Sequence, residues 1–153
     1  MRWNLFLFST FCFLLFPGCR TGTQSLFTAA GPNWRVQQGQ ALWQPRKDLP
    51  QFGGDLVLAR DDVGDCLIQF DKTPMAILSA QTTSNRWLIK FPQQNRSFSG
   101  HGAGPTRFTW LYLPRALAGE PLPGKIRFAL KPDGSWSLEN SSTGEKVEGF
   151  LSP

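Results

Sequence analysis

Apolar and polar residues alternate with a period of two over much of this chain, and this pattern constrains the fold more than any other feature. The alternating runs are short, rich in aromatic and β-branched residues, and separated by Gly, Pro, Asn and Asp, which is typical of antiparallel strands joined by turns. The runs predict strands at Trp34–Trp43, Asp55–Arg60, Asp65–Asp71, Ala76–Gln81, Arg86–Phe91, Lys125–Leu130, Ser135–Glu139 and Glu145–Leu151. A meander of this kind curves readily into an open or closed barrel.

One segment, Thr106–Ala118, has helical spacing instead. Its first residue is a suitable N-terminal cap, and Phe108 and Leu111 fall on one side of the expected helix. Pro114 is expected to end or kink the first part, and Gly119 to stop the helix. The predicted fold class is therefore mainly β (α+β), with a single curved antiparallel sheet that forms an open half-barrel with one covering helix.

The N-terminal region has the layout of an export signal. One positive charge, Arg2, precedes an apolar run over residues 5–16 that is too short to span a bilayer comfortably. The run ends in Leu14-Leu15-Phe16-Pro17-Gly18-Cys19, which resembles the lipobox of bacterial lipoproteins, where the cysteine is diacylated and becomes the new N-terminus. The resemblance implies a signal peptide over residues 1–18 and lipidation at Cys19. The alternative is an ordinary secretory signal cut after Ala29-Ala30, and either reading predicts export.

The remaining chain divides into two parts of different character. Residues 19–33 hold Thr, Gly, Ser and Ala with little periodicity, which predicts a lipidated N-terminus and a flexible tether. Residues 34–153 are predicted to form the half-barrel domain, and their number suits a single domain. Cys66 lies in an apolar run, so we expect a small buried residue there and not a reactive thiol. The net charge of +5 fits contact with anionic lipid headgroups, although the basic residues form no polybasic block.

Three short motifs stand out between residues 34 and 140. They are the opening strand Trp34–Trp43, the strand and turn Leu67–Met75, and the segment Leu117–Pro123 that closes the predicted helix. Together they resemble the LolB/LolA-like superfamily of lipoprotein carriers. Members of that superfamily fold as an incomplete antiparallel barrel covered by helices and hold the acyl chains of lipoproteins inside it. The resemblance implies the same fold and a role in lipoprotein localisation.

An acyl-binding role needs a dry concave surface, where burial contributes about 0.8 kcal/mol per methylene group. The large apolar residues of the predicted sheet and helix are the candidates for lining this surface. They are Trp43, Phe70, Ile77, Trp87, Ile89, Phe91, Phe108, Trp110 and Leu111. The same residues would also fill the core of any small β protein.

The resemblance implies one further residue, an apolar side chain that protrudes from a loop after an early strand. In LolB-type proteins this residue helps to insert lipoproteins into the outer membrane. The matching turn here is Pro74-Met75-Ala76, so Met75 is the candidate for the protruding residue. The alternative is a methionine that packs in the core or at the sheet edge.

Catalytic, metal and nucleic-acid roles find little support in the residues. His101-Gly102-Ala103-Gly104 is similar to the oxyanion-hole motif of lipases and esterases, but the chain has no Gly-x-Ser-x-Gly and no second histidine. We therefore predict no enzyme and assign no catalytic residue. A single histidine and one remaining cysteine cannot form a standard zinc set, and phosphate-loop and dinucleotide motifs are missing, so no metal or cofactor is predicted. An exported lipoprotein is not expected to meet nucleic acid.

Two hypotheses about function remain. The first is a membrane-anchored envelope lipoprotein that binds acyl chains of lipids or lipoproteins in an apolar half-barrel cavity. The second is a structural or interaction lipoprotein, whose barrel is filled by its own side chains and whose outer face binds an envelope protein or peptidoglycan. An open cavity lined by Trp and Phe favours the first, and a solid core favours the second. Arg20 follows Cys19 where lipoproteins retained in many inner membranes carry Asp, so the resemblance implies the outer membrane, facing the periplasm.

Overall fold

The fold is a single antiparallel sheet with a short helical segment, and the computed structural model describes residues 25–27 and 30–152 of it. The strands are β1 (Arg35–Gln44), β2 (Phe52–Arg60), β3 (Cys66–Lys72), β4 (Met75–Thr82), β5 (Arg86–Phe91), β6 (Arg96–His101), β7 (Ile126–Leu130), β8 (Trp136–Asn140) and β9 (Glu145–Ser152). The helix α1 (Leu113–Leu117) continues a 3-10 turn at Thr109–Tyr112, and a second 3-10 turn covers Pro92–Gln94. None of the helices in these residues has the length and apolar character that crossing a bilayer would require.

The nine strands are joined in the order β6-β5-β4-β3-β2-β1-β9-β8-β7. β1 is the link between the two halves, because Trp43 lies opposite Phe52 of β2 on one side and Val147 of β9 on the other. β6 and β7 are the two edges, so the sheet is not closed. The chain between these edges, residues 102–125, carries the helical segment from one edge to the other.

The predicted antiparallel meander is confirmed: β5 has the predicted bounds, and every other predicted strand is present with one or both ends shifted. One strand, β6, was not predicted. Its sequence Arg-Ser-Phe-Ser-Gly-His has one large apolar residue, Phe98, because an edge strand pairs on one side and buries little. Alternation alone therefore could not separate this strand from a loop.

The prediction of a helix over Thr106–Ala118 was wrong in length, since α1 has five residues and follows a 3-10 turn. We expected Pro114 to end or kink the helix. Instead it lies in the first turn of α1, where a residue needs no N–H donor. Gly119 does stop it: its φ is 73°, and its N–H donates to the carbonyl of Ala116 at 3.1 Å.

One face of the sheet, here called the inner face, carries the core under the helical segment. Alternation along β2 and β3 turns Leu56, Leu58, Ile68 and Phe70 toward this face, and all four are fully buried. Trp110 lies over them, with its ring centroid 5.1 Å from that of Phe70. The residues between the two sheet edges therefore cover the core.

Two glycines lie where a neighbouring backbone or ring leaves no room for a side chain. A Cβ atom on Gly39 of β1 would collide with the carbonyl oxygen of Phe150 on β9. A Cβ atom on Gly100 of β6 would lie 2.7 Å from Cζ2 of Trp87, so Gly100 gives this indole room to lie over the edge strand. Glycine is required at such approaches because it lacks a side chain.

The opposite face, here called the outer face, is covered in part by residues just before β1. The side chain of Gln81 accepts a hydrogen bond from the N–H of Leu26 at 2.7 Å and donates one to the carbonyl of Phe27 at 3.0 Å. Leu88, the register partner of Gln81 on β5, is buried on the same face. The described part of the segment for which the sequence predicts a tether therefore contacts the sheet, without forming a strand or helix. The predicted signal peptide and Cys19 lie outside the described residues.

Candidate functional site

Large aromatic rings form a continuous cluster on the inner face. Trp43 is the centre of one half, and its ring centroid lies 5.9 Å from Trp110 and 6.2 Å from Phe70. It also lies 6.4 Å from Phe91, which leads to the other half. There the Phe108 ring lies 5.8 Å from that of Trp87 and 5.0 Å from that of Phe98.

The structure brings all nine predicted lining residues into this single core. Six of them are buried: Trp43, Phe70, Trp87, Ile89, Trp110 and Leu111. Three are partly buried and pack against the same core: Ile77, Phe91 and Phe108. Most of the nine side chains are therefore excluded from solvent.

A cleft of about 750 Å³ opens at one end of the inner face, between the sheet and the chain from residue 102 to residue 120. We call it the rim cleft. A row of register partners crosses the sheet at this end: Arg35 on β1, Arg60 on β2, Cys66 on β3, Thr82 on β4 and Trp87 on β5. All five line the rim cleft. The opposite wall comes from the covering segment and includes Leu111, Tyr112, Pro114 and Arg115.

The rim cleft joins the aromatic core at its inner end. Cys66, Trp87 and Leu111 line the cleft and are also members of the buried core cluster. Trp87 and Leu111 are thus the two predicted lining residues that reach this cleft. Burial raises the pKa of the Cys66 thiol to about 12, so the thiol stays protonated at neutral pH and packs as a small apolar side chain.

Two of the arginines that line the rim cleft have carboxylate partners. Arg35 lies 3.4 Å from Asp62, and Arg115 lies 3.1 Å from Glu120. All four side chains are well exposed, so each pair contributes little to stability.

The other two arginines of the cleft, Arg60 and Arg86, have no carboxylate partner among the described residues. Arg60 donates one hydrogen bond to the carbonyl of Pro114 at 3.4 Å. Asp61 is nearby, but its carboxylate is engaged in the β2–β3 turn, where it accepts N–H groups of residues 63–65 at 2.8–3.0 Å. Among the described residues, Arg60 and Arg86 are thus the two cleft-lining arginines that form no ion pair.

A buried carboxylate ties the covering segment to the sheet. Glu145 accepts the indole N–H of Trp43 at 2.8 Å and the hydroxyl of Thr109 at 2.6 Å. The three residues lie on β9, on β1 and in the 3-10 turn before α1, so a single side chain links three parts of the fold. Burial raises the pKa of Glu145, while the hydrogen bonds from Thr109 and Trp43 oppose this shift.

The raised pKa of Glu145 predicts how stability depends on pH. Because the folded state binds this proton more tightly than the unfolded chain, the stability linked to it is fully present below the ordinary glutamate pKa of 4.5. It is lost as the pH rises from there through the folded-state pKa. We expect urea melts above pH 4.5 to show this decline in the unaltered chain and a smaller decline in Glu145→Gln. Equal slopes in the two proteins would contradict the role given to Glu145.

Met75 lies at the start of β4, opposite Lys72, and its side chain is 45% exposed. The structure therefore places it in the β3–β4 turn region at the surface, away from the buried core. This position matches the predicted protruding residue in exposure, and its role stays a prediction.

Sequence reasoning missed the neighbouring pair Arg35 and Arg60 and the buried Glu145. One signal for Arg60 was present, since alternation in β2 places it on the same face as the buried Leu56 and Leu58. The neighbouring position of Arg35 depends on the register of β1 with β2, which no local pattern reveals. Glu145 resembled an ordinary charged residue at the start of a strand.

A comparison with known protein families finds no match to this sequence. A comparison with curated proteins likewise finds no significant match. The argument about function therefore rests on the residues and geometry of the chain itself.

Proposed function

We propose that this protein is a membrane-anchored envelope lipoprotein that holds an acyl chain of a lipid or lipoprotein against the inner face of its sheet. The observation that carries the proposal is the rim cleft, which runs from a polar mouth to the buried ring of Trp87 and to Leu111. Its lining is mostly charged and polar, with apolar side chains at the inner end, and concave sites of this size are typical of small-molecule binding. The chain would be received in the half-barrel and handed on to a membrane, which aids lipoprotein localisation.

The cover of the inner face is small enough to be displaced by a ligand. It consists of the 3-10 turn and the five-residue α1, and it sits on an open sheet whose edges β6 and β7 are not paired with each other. Moving this segment would exchange ring contacts with Trp110 for contacts with methylene groups of similar apolar character. An acyl chain therefore offers a replacement for the interactions that the cover gives up.

The polar atoms inside the core also favour an acyl ester. The indole N–H groups of Trp110 and Trp136 are buried and have no hydrogen-bond partner among the described residues. A buried donor without a partner costs about 1–3 kcal/mol. Neither indole lines the rim cleft, so an ester carbonyl would supply an acceptor for such a donor once the covering segment had moved.

Anchoring and membrane contact complete the proposal. Lipidation at Cys19 would attach the protein to the membrane, and Arg20 after it favours the outer membrane, on the side that faces the periplasm. Met75, whose side chain is exposed, is the residue that we propose would enter a bilayer.

A second candidate function is favoured by the filled state of the core and by apolar residues on the outer face. Phe70 and Ile89 have no exposed surface, so side chains already occupy the inner face. On the outer face, Leu42 and Phe150 are each 47% exposed and line a groove of about 690 Å³. A structural lipoprotein would use such a surface to bind an envelope protein.

Replacing Trp87 with glutamate is expected to abolish acyl binding. A carboxylate at this position would interrupt the apolar path from the rim cleft to the core, and charged groups are strongly disfavoured beside an acyl chain. Native mass spectrometry of the full chain, released from a nonionic detergent, measures non-covalent lipid directly. We expect lipid on the unaltered chain and at least about tenfold less on Trp87→Glu, which corresponds to about 1.4 kcal/mol. The same spectra report the covalent mass added at Cys19.

Phe150→Glu is the matched control, because it places the same charge on the outer face. Acyl binding predicts that this variant keeps its lipid. An unaltered chain that carries no lipid and takes none up would reject the proposal. Loss of an envelope partner in Phe150→Glu but not in Trp87→Glu would instead support the second candidate.

A further inference from the structure

We propose that the edge of the sheet formed by β5 and β6 faces an anionic membrane surface. The residues that would contact the lipid headgroups are Arg86, Lys90, Arg96 and Arg107, which we call the basic edge. This inference rests on the membrane anchor of the proposed function. It adds which side of the protein meets the membrane and which class of lipid attracts that side.

The charged residues at this side of the sheet are all of one sign. Between residues 72 and 119 the sequence contains lysine and arginine but no aspartate or glutamate. The strands β4, β5 and β6 all lie in this range. The four residues of the basic edge are at least partly exposed, and none of them forms an ion pair among the described residues. Their positive charge is therefore not neutralised locally.

The four cations lie on both sides of the edge strand β6. Arg86 and Lys90 lie on the outer face, at positions of β5 that alternate with buried core residues. On the inner face, the guanidinium carbons of Arg96 and Arg107 lie 5.8 Å and 5.6 Å from the centroid of the same ring, that of Phe98. A membrane surface that meets the sheet at β6 would contact both sets of cations, whereas a small anion would reach only one set.

The other edge strand, β7, has a different charge pattern. Arg127 of β7 lies opposite Glu139 of β8, and Lys131 lies 3.9 Å from Glu148. Charged side chains commonly protect a sheet edge from pairing with another chain. That protection requires charge but not charge of a single sign, as β7 demonstrates. The uniform sign at β6 therefore favours an anionic partner.

The described chain before β1 ends beside the basic edge. Gln81 of β4 forms hydrogen bonds with the backbone of residues 26 and 27 on the outer face. One residue earlier, the hydroxyl of Ser25 accepts a hydrogen bond from the ammonium group of Lys90 on β5 at 3.1 Å. The chain that precedes Ser25 therefore starts from the side of the sheet where the cations lie.

The length of this preceding chain limits how far the membrane anchor lies from the basic edge. Cys19 is six residues before Ser25 in the sequence. An extended chain covers at most about 3.3–3.6 Å per residue, so Cys19 lies within about 20 Å of Ser25. If Cys19 carries lipid, as the proposed function states, the bilayer surface is held close to Lys90.

The basic edge also lies near Met75, the residue proposed above to enter a bilayer. Met75 lies opposite a further cation, Lys72. The carbonyl of the next residue, Ala76, accepts a hydrogen bond from the side-chain amide of Gln93 at 3.1 Å. Gln93 lies in the 3-10 turn that joins β5 to β6. One membrane surface would therefore meet Met75 and the basic edge together.

The experiment measures hydrogen exchange on the full chain in vesicles of phosphatidylcholine, with or without phosphatidylglycerol. Half of the β6 amides point away from β5 and have no strand partner, so headgroups would cover them. Each cation close to an anionic membrane strengthens binding by about fivefold, so we expect β6 to exchange at least about threefold more slowly on the anionic vesicles. The difference should shrink at high salt, because salt screens exposed charges. Exchange in β7 should be the same on both kinds of vesicle.

Variants with fewer charges test whether the cations cause the slower exchange. Combined Arg96→Gln and Arg107→Gln substitutions should remove most of the difference between the two kinds of vesicle. Arg86→Gln, on the other face of the edge, should reduce the difference and tests the basic edge even if the double variant folds poorly. Combined Lys125→Gln and Arg127→Gln substitutions are the matched control, because they remove the same charge from exposed positions at the β7 edge. This control should keep the difference.

The outcomes separate this inference from the proposed function. Equal exchange of β6 on both kinds of vesicle would overturn the inference and leave acyl binding, which is measured in detergent, standing. Slower exchange that follows the protein concentration and not the lipid would show pairing of β6 with a second copy and overturn the inference. Slower exchange on anionic vesicles with no acyl mass at Cys19 would support the basic edge and reject the anchor. Loss of the difference in the basic-edge variants alone would support the inference.

Discussion

Phe70→Ala is expected to lower the free energy of unfolding by about 3–5 kcal/mol, the usual cost of removing a fully buried phenylalanine. The Phe70 side chain has no exposed surface, and its ring lies 5.1 Å from that of Trp110 and 6.0 Å from that of Phe52. It also fills the space above Gly54, where a Cβ atom would lie 2.9 Å from the ring. Because it is surrounded by sheet backbone and other rings, the cavity left by alanine cannot easily collapse.

The matched control for this prediction is Phe150→Ala on the outer face. The same atoms are removed there from a side chain that is half exposed, so we expect a loss below about 1 kcal/mol. Urea unfolding followed by tryptophan fluorescence measures both variants. Similar losses in the two proteins would show that Phe70 does not have the central place in the core described above.

Glu145→Ala is expected to destabilise the fold by at least about 3 kcal/mol, because it leaves three buried donors without an acceptor at about 1–3 kcal/mol each. The donors are the indole N–H of Trp43 and the hydroxyl and backbone N–H of Thr109. Thr109 opens the 3-10 turn that leads into α1, so the covering segment should loosen as well. Hydrogen exchange of the amides in residues 109–117 measures this second effect.

Glu139→Ala is the matched control, because it removes a glutamate from an exposed site near the start of β9. Glu139 lies on β8 opposite Lys146, and its side chain is exposed. A change within about 0.5 kcal/mol is expected for it. Faster exchange across 109–117 in Glu145→Ala, with no change in Glu139→Ala, would assign the effect to the buried network. Equal exchange in both variants would contradict it.

This network bears directly on the proposed function. Under the proposed function, an acyl chain would pass beyond the rim cleft into the core only if the covering segment moved, and Glu145 is one of the contacts that hold this segment. Loosening the segment by mutation should therefore raise lipid access, whereas removing Phe70 should weaken the surface that receives the chain. The two variants act on different steps of the same process.

Part of the site was within reach of sequence reasoning. Composition and alternation identified the nine large apolar residues that the structure brings into one core, because apolar side chains on alternate strand positions are buried wherever the sheet has a covered face. They could not tell which of these residues border a cleft. Trp87 and Leu111 line the cleft whereas Ile89 and Trp110 do not, and this difference depends on the tertiary structure.

The sequence by itself determined the class of the fold, since its period of two, its turn residues and its β-branched and aromatic runs all favour an antiparallel meander. Only the tertiary structure decided which side chains are neighbours. Strand register placed Arg35 beside Arg60, and the return of β9 to β1 brought Glu145 to Trp43, 102 residues away. Local patterns report which face a side chain occupies, but the choice of neighbour depends on long-range pairing that the whole sheet settles together.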